Sequence, residues 1–532
     1  MRLMMNKMPL VACVLALSLA APLWAQAPTA AAAGPVFRIA GFDVSGVNPL
    51  ALGETSNVLA PFLRADANME VLQKATAALE AALRDKGFGL YRVSLPPQEL
   101  GGGVVKLEIV RYVVGKVSIE GAARYSEANL RASVPELAEG QTPNFRTLAV
   151  QTAIANESQG KQLQVVLKES DQPDKIDARV IVKESKDWNF STSLNNSGSP
   201  ATGRDRFSLV GGHANLFDLD HNFSAAYTTS LANPSRVQQL GLNYKIPLYR
   251  LGGVLGLSHT RADVTGDFGP FSSNGAGQTM GLSYSHYLHP EGGRRSNITL
   301  SLDDKQFDPT QINGVPVPGQ LERRSRPLTL GYNVRVESDK TVYGYNVDLA
   351  TNLVSGSGNN LAAYQSEDPR IRSASFRLLR AGFNYLGALG ASGWTLGARG
   401  LMQYSSGALI SGEQFGIGGA SSVRGTSERP VSGDRGVFGS LEFNSPELRP
   451  GLRWAGFLDA GYVGSETSAA SPKLASDRLS SFGLGLRYSA GMISASAEWA
   501  RLITGSKVPL ALNSESPQKG DHKVHVNLSI RF

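Results

Sequence analysis

The final strand of this chain is the feature that most limits what the rest can become. Val524, Val526, Leu528, Ile530 and Phe532 fall on one face, with His525, Asn527, Ser529 and Arg531 on the other. A period of two describes a strand between two unlike surroundings. At the end of a secreted chain those surroundings are lipid and a wet lumen. From Asp187 onward the same alternation recurs in segments of about ten residues separated by turn residues. About sixteen segments are expected, beginning near Trp188, Arg206, Asn222, Val237, Val254, Gln278, Asn297, Pro327, Val342, Ser375 and Trp394, then Val437, Leu452, Ser480, Met492 and His522. Their connections alternate between short turns, such as Asn215–Asp220 and Ser338–Lys340, and long polar loops. The long ones are Asp263–Gly277, Gln306–Ser325, Ser355–Arg372, Ser406–Arg435, Glu466–Leu479 and Thr504–Asp521. An even strand count with alternating loop length puts both barrel ends in the periplasm and the long loops outside. In lipid, a closed barrel is the only sheet that satisfies every backbone group. Residues 187–532 therefore read as an all-β transmembrane barrel of about 16 antiparallel strands.

The opposite end has the three-part form of a secretory signal. Arg2 and Lys7 make a basic start, Leu10–Ala21 an apolar centre, and Leu23-Trp24-Ala25-Gln26-Ala27 a small-residue end. Residues 1–27 are expected to be removed, with cleavage after Ala25 or Ala27; an uncleaved anchor helix would need a longer apolar run. No run of eighteen apolar residues follows, which excludes a helical-bundle membrane protein. The single cysteine, Cys13, precedes its apolar region, the reverse of a lipoprotein box, so lipidation is rejected. The mature chain then carries no thiol for disulfides or thiolate metal sites. Of the 52 basic residues only Arg2 and Lys7 lie in the signal, so the remaining fifty against 45 acidic ones leave a net charge of +5. That is no footprint for nucleic acid.

Between signal and barrel, after an Ala/Pro linker (28–35), strands and helices alternate. Val36–Val44 is a candidate strand. Asn68 is placed to cap a helix over Met69–Lys86, with Leu72, Ala75, Leu79 and Leu83 on one face and Gly87 as its stop. Strands follow at Tyr91–Leu95 and Val104–Val110. The pattern then repeats, with strands Lys116–Glu120, Gln162–Leu167 and Ala178–Val182 and helices Ser126–Val134 and Asn144–Asn156. This makes two β-α-α-β-β modules, residues 36–112 and 113–186. They contain no histidine, no phosphate loop and no nucleophile–base constellation. Small α+β modules with exposed edge strands suit pairing with extended polypeptide; service as plain spacers is the alternative.

The stretch Gln414–Gly461 holds the two most informative charges. Arg424 lies in the Gly/Ser-rich loop QFGIGGASSVRG, and Asp459 in the apolar strand GFLDAG. A carboxylate inside an apolar strand is costly unless it is paired or faces water, so Arg424 is expected to fold back onto Asp459. If Asp459 faces inward, so do Phe457 and Gly461, while Leu458, Ala460 and Tyr462 face lipid. Gly461 would leave room for an approaching loop backbone. Glu442, inward on the preceding strand by its alternation with Leu441 and Phe443, is a second possible acceptor. A planar guanidinium suits such bidentate pairing better than an ammonium.

Gly418-Gly419, Val423-Arg424-Gly425 and, one hairpin later, Phe457-Leu458-Asp459-Ala460-Gly461 resemble the motifs of two-partner secretion transporters of the ShlB/FhaC/HecB haemolysin secretion/activation family, within the BamA-like outer-membrane assembly superfamily. Weaker matches are Asn215-Leu216-Phe217 and Gln403…Leu409…Gln414-Phe415. The resemblance spans nearly the whole mature chain and implies two POTRA modules in the periplasm and a sixteen-stranded outer-membrane barrel. It implies that the sixth extracellular loop, carrying Val423, Arg424 and Gly425, folds into the lumen, with its arginine on the aspartate of the FxDxG strand, and that Phe532 ends the chain as an assembly signal. The implied partners are a large secreted haemolysin-, adhesin- or toxin-like protein in an extended state, outer-membrane lipid and the barrel assembly machinery. The barrel is expected to be monomeric and to use no cofactor or metal; His286 and His289 read as wall or turn residues. Thr426 departs from the family, which commonly has an aromatic residue there. The roughly ten residues between the signal and Val36 are too few for the pore-plugging helix that many members carry. An outer-membrane assembly factor is the main alternative, and a general porin or a lipid- or peptide-cleaving barrel the weaker ones.

Overall fold

The computed structural model describes residues 36–200, 202–273, 275–312, 315–467 and 473–532. The expected signal, Cys13 and the linker 28–35 lie outside the described residues. The chain divides into two compact units, one of residues up to Ala82 with Arg92–Val110, the other of Leu83–Tyr91 with Arg111–Phe532.

In the first, Val104–Arg111 is the centre of a three-stranded sheet, with Gly41–Gly46 parallel on one side and Tyr91–Ser94 on the other. Helix Met69–Asp85 starts where Asn68 accepts a hydrogen bond from the Val71 N–H at 3.1 Å. Its Leu72, Ala75, Leu79 and Leu83 are fully buried. Two features differ from the sequence reading. The expected strand Val36–Val44 is broken at Ala40, because Ala40 and Gly41 both donate to the Gly103 carbonyl while Phe37–Ile39 pairs instead with Arg64–Ala67. A further helix, Leu52–Leu59, buries only Thr55 and Leu59, too little apolar periodicity to be seen in advance.

Within the second unit, residues 113–184 follow the expected order. The strands lie as Val113–Glu120, Lys175–Glu184, Lys161–Glu169, and the helices Glu127–Ser133 and Phe145–Ala155 are capped by the side chains of Ser126 and Asn144. Both outer strands of this sheet are edges.

The barrel closes with sixteen antiparallel strands, from Trp188–Asn195 to His522–Arg531. One of them, Pro327–Glu337, is prolonged outward by Arg323–Ser325 along the same neighbour. Every expected strand start lies within four residues of an observed one. The period is local, so it survives in the sequence. Val524, Val526 and Leu528 point outward and His525 is buried, as alternation requires. The closing seam is short, running from Asn527↔Asn195 to Arg531↔Ser191. It is extended by the Asn196 side chain, which accepts from Val526 N–H and donates to the Val524 carbonyl, and by the Phe532 N–H donating to Phe190 O at 2.8 Å. The rings of Phe532 and Phe190 pack with centroids 5.6 Å apart. No described helix is long and apolar enough to cross a membrane; the crossing is made by strands.

The long loops carry structure that alternation could not forecast. Ser355–Arg372 holds the helix Leu361–Glu367, capped by Asn360, and Asp263–Gly277 holds a hairpin.

Candidate functional site

The sixth extracellular loop leaves strand Thr395–Ser405 and folds back on itself. Phe415–Ile417 pairs with Val431–Gly433, and Ile417, Val423 and Val431 are buried against the inward-facing Phe438, Val463, Leu479 and Leu502. Burying a side chain of this kind contributes roughly 1.5–3 kcal/mol, so the loop is held to the wall by more than its charges. Gly461 provides the seat. A Cβ there would lie 2.9 Å from Ile417 Cγ2, closer than real contacts allow. Gly461→Val is therefore expected to lift the loop, with an overpacking cost of about 1–3 kcal/mol. Surface proteolysis within residues 414–434 on intact cells should rise several-fold, and an unchanged digestion pattern would count against the contact.

At the loop tip, the Arg424 guanidinium grips Asp459 with both sides of its fork, Nε to Oδ2 at 2.8 Å and Nη2 to Oδ1 at 2.9 Å. The Arg424 backbone N–H adds a third bond to Oδ2 at 3.1 Å, and Ser440 Oγ a fourth, to Oδ1 at 2.7 Å. Nη1 reaches Glu442 at 3.2 Å and Glu498 at 3.0 Å. The guanidinium also lies over the Phe457 ring, 3.3 Å from its centroid. Asp459 and Phe457 are buried and Leu458, Ala460 and Tyr462 exposed, the parity that the sequence suggests. Buried charges persist only when paired and fully hydrogen-bonded, and Asp459 meets that condition. Gly425 donates its N–H to His525 Nε2 at 3.0 Å, so the tip also touches the last strand.

The sequence reading did not find Glu498 or Arg487. Arg487 donates to Glu442 and Glu498 and completes a cluster of two arginines and three carboxylates. The signal was present, because Arg487 in FGLGLRYSA and Glu498 in SASAEWARL are also charges inside apolar strands. Thr426 stands where an aromatic is common and is buried; its Oγ1 accepts from the Gly419 N–H at 2.9 Å, a polar staple across the turn.

Gln403, Leu409 and Gln414 meet at the loop base. Gln403 Nε2 donates to the Glu413 carbonyl, while the Leu409 N–H and Gln414 Nε2 both donate to Asp434 Oδ1. Asp434 and Glu413 are both fully buried. Burial alone would raise the Glu413 carboxyl, but Lys305 and Arg380, at 3.0 and 2.8 Å, hold it down at about 2.

A second buried charge pair lies at the periplasmic end, between the 113–184 module and the first barrel turn. Lys161 is fully buried, and its ammonium donates to Asn129 Oδ1, Ser133 Oγ and Asp220 Oδ2 at 2.8, 2.7 and 2.6 Å. All three protons are used. Asp220 also accepts from Tyr249 Oη at 2.7 Å and from Asn129 Nδ2 at 3.1 Å. Burial pushes the Lys161 ammonium down and the Tyr249 hydroxyl up. Asn215 holds the turn through its Oδ1, which accepts from the Asp220 N–H at 2.9 Å. Phe217, Asp218 and Asp220 all have positive φ, at 62°, 57° and 60°. Three left-handed non-glycine residues in one turn cost roughly 1–2 kcal/mol each, and they persist because this network over-determines the turn.

Comparison with known proteins agrees with this arrangement. The model of the haemolysin secretion/activation protein family ShlB/FhaC/HecB matches residues 174–488, and that of the ShlB-type POTRA domain matches 37–111. The outer membrane transporter CdiB of Dickeya dadantii is 24% identical over 423 residues, 77% of this chain and 73% of the relative. CdiB of Escherichia coli is 23% identical over 454 residues, 82% of this chain and 72% of the relative. Among solved structures, CdiB from Escherichia coli matches with a TM-score of 0.74 at 20% identity, covering 96% of this chain and 93% of that one. CdiB from Acinetobacter baumannii matches at 0.71 and 18%, covering 96% and 94%. With a family model spanning more than half its length, POTRA modules in the periplasm and a closed sixteen-stranded barrel, the chain belongs to the ShlB/FhaC/HecB haemolysin secretion/activation family and is a two-partner secretion transporter of the outer membrane.

Proposed function

We propose that this transporter carries one large partner protein, of the haemolysin, adhesin or toxin kind, from the periplasm through its own lumen to the cell surface. The observation that carries the reading is the sixth loop held inside the barrel by the Arg424 cluster, a charged lock in the path that a translocating chain must take. Arg424, with Val423 and Gly425 beside it and Asp459, Glu442, Phe457 and Gly461 on the wall, holds the loop in its transport-competent position. The edge strands Gly41–Gly46 and Tyr91–Ser94 of the first module, and Val113–Glu120 and Lys161–Glu169 of the second, offer backbone groups to an extended substrate. Folding of the substrate outside gives the transport its direction. The barrel works as a monomer in contact with lipid through its outward apolar rows, and Phe532 serves its delivery to the assembly machinery.

The test is to ask whether a neighbouring gene encodes a large secreted protein, to express that product with the chain and to follow it by surface labelling. Surface display should require the transporter, while the levels of other outer-membrane barrels stay constant on its deletion. A fall in those barrels with no effect on the neighbour's product would replace this reading with that of an assembly factor.

A further inference from the structure

A second extracellular loop also enters the barrel. Its first residue is fixed at the rim, where Asp263 N–H donates to the Gln238 carbonyl and Asp263 Oδ2 accepts from the Gln238 N–H, both at 3.2 Å. The chain then turns inward as a hairpin, Gly266–Phe268 against Phe271–Ser273. Its tip, Gly269-Pro270, comes down on the barrel wall. A Cβ at Gly269 would lie 2.9 Å from Val210 Cγ2 and 3.0 Å from Ala226 Cβ, and a Cβ at Gly241 would overlap the Phe271 ring. Strand pairing places Val210, Ala226 and Gly241 side by side in one row, and Phe207, Thr229 and Gln238 in the parallel row at the outer end. The two rows are three residues apart, so the tip reaches about 10 Å down the wall at ~3.3 Å per residue. Phe268 is fully buried and stacks on Phe271 with centroids 5.7 Å apart.

The hairpin borders three cavities, two of which lie on opposite sides of its tip and flank. Asp267 lines one of about 560 Å³ together with Arg424, Glu428 and Arg399. Gly269 and Pro270 line another of about 700 Å³, whose other walls include Glu157 and Gln159 of the periplasmic module and Lys245 and Arg531 at the inner strand ends. The tip is thus the roof of a periplasmic vestibule, and its flank adjoins the chamber of the arginine lock. Its seating differs in kind from that of loop six. Aromatic rings lie on small wall residues, which can separate and re-form without stranding a buried charge, whereas Asp459 cannot lose Arg424 at so small a cost.

We propose that the hairpin Gly266–Ser273 is a second luminal plug, seated over the periplasmic vestibule, and that it lifts off the Val210–Ala226–Gly241 row to let an extended polypeptide pass. The proposal rests on the transporter reading for its second half but not for its first. Two variants of the full-length protein test it. Replacing Gly266–Ser273 by a Gly/Ser linker of equal length removes the plug. Single-channel conductance in planar bilayers should rise at least threefold, and cells should become sensitive to vancomycin. The double variant Gly241→Cys/Phe271→Cys tethers it, since the only native cysteine is Cys13. Oxidised, it should keep low conductance and secrete the partner at least tenfold less, with recovery on reduction. Heat-modifiable migration on gels verifies that each barrel is folded. Conductance of the linker variant equal to that of the parent overturns the plug, and needs no exported partner to do so. Undiminished secretion by the oxidised double variant overturns the lifting step while leaving the transporter reading in place.

Discussion

Replacing Arg424 by alanine is expected to leave a folded, heat-modifiable barrel in the outer membrane that secretes its partner at least tenfold less. The change strands Asp459, which is 2% exposed, faces the lumen from the barrel wall and, among the described residues, has no other cation as its direct partner. Breaking a buried pair by removing one member costs about 3–5 kcal/mol. At 1.4 kcal/mol per factor of ten, the seated loop loses about two to three and a half powers of ten in population. The barrel itself survives because its strand ladders and its outward apolar rows do not depend on the loop. Arg424→Lys should rescue little, since an ammonium cannot make the two-sided grip on Asp459 and reach Glu442 and Glu498 at once. Secretion of the alanine variant at the parental level would mean that the lock has no part in transport, and rescue by lysine would mean that its charge suffices without the forked geometry.

The second large effect is expected at Lys161. Lys161→Met keeps the volume of the side chain but leaves Asp220 buried and without its cation, again at about 3–5 kcal/mol. The loss falls on the joint between the 113–184 module and the barrel, since Asn129, Ser133 and Tyr249 all converge on the same carboxylate. Limited proteolysis should cut within residues 184–188 in the variant and not in the parent, and hydrogen exchange should quicken along Lys161–Glu169. Adding Asp220→Asn removes the stranded charge and tolerates the left-handed backbone at that position, so the double variant should regain most of the protection. A single variant as protected as the parent would show that the joint is held by apolar packing alone.

The barrel was legible because alternation is a local property. Each strand declares its two faces within about ten residues, and the turns between declare themselves by composition. The Arg424–Asp459 contact was legible for a different reason: an isolated carboxylate in an apolar strand demands a partner. The same demand, applied to Arg487 and Glu498, would have completed the cluster. Lys161 could also have been found, since it lies two residues before Leu163 on the core face of its strand, but the expected strand began one residue later, at Gln162. The inward hairpin and the helix Leu361–Glu367 left weaker marks, because elements of three to seven residues carry too little periodicity to stand out from a polar loop.

By itself the sequence determined a strand number of about sixteen, the faces of the last strand and of the Phe457–Tyr462 stretch, the opposite sides of the membrane for short and long connections, and the two charges that had to meet. Tertiary structure alone decided which residues share the lumen. Arg424 meets Glu498 across 74 residues of chain and Lys161 meets Asp220 across 59, and closing such loops is governed by which surfaces remain to be buried once the barrel exists. Loop six and the Gly266–Ser273 hairpin turn inward because a ring of sixteen strands encloses inward-facing surface, and that enclosure exists only after the last strand has paired with the first.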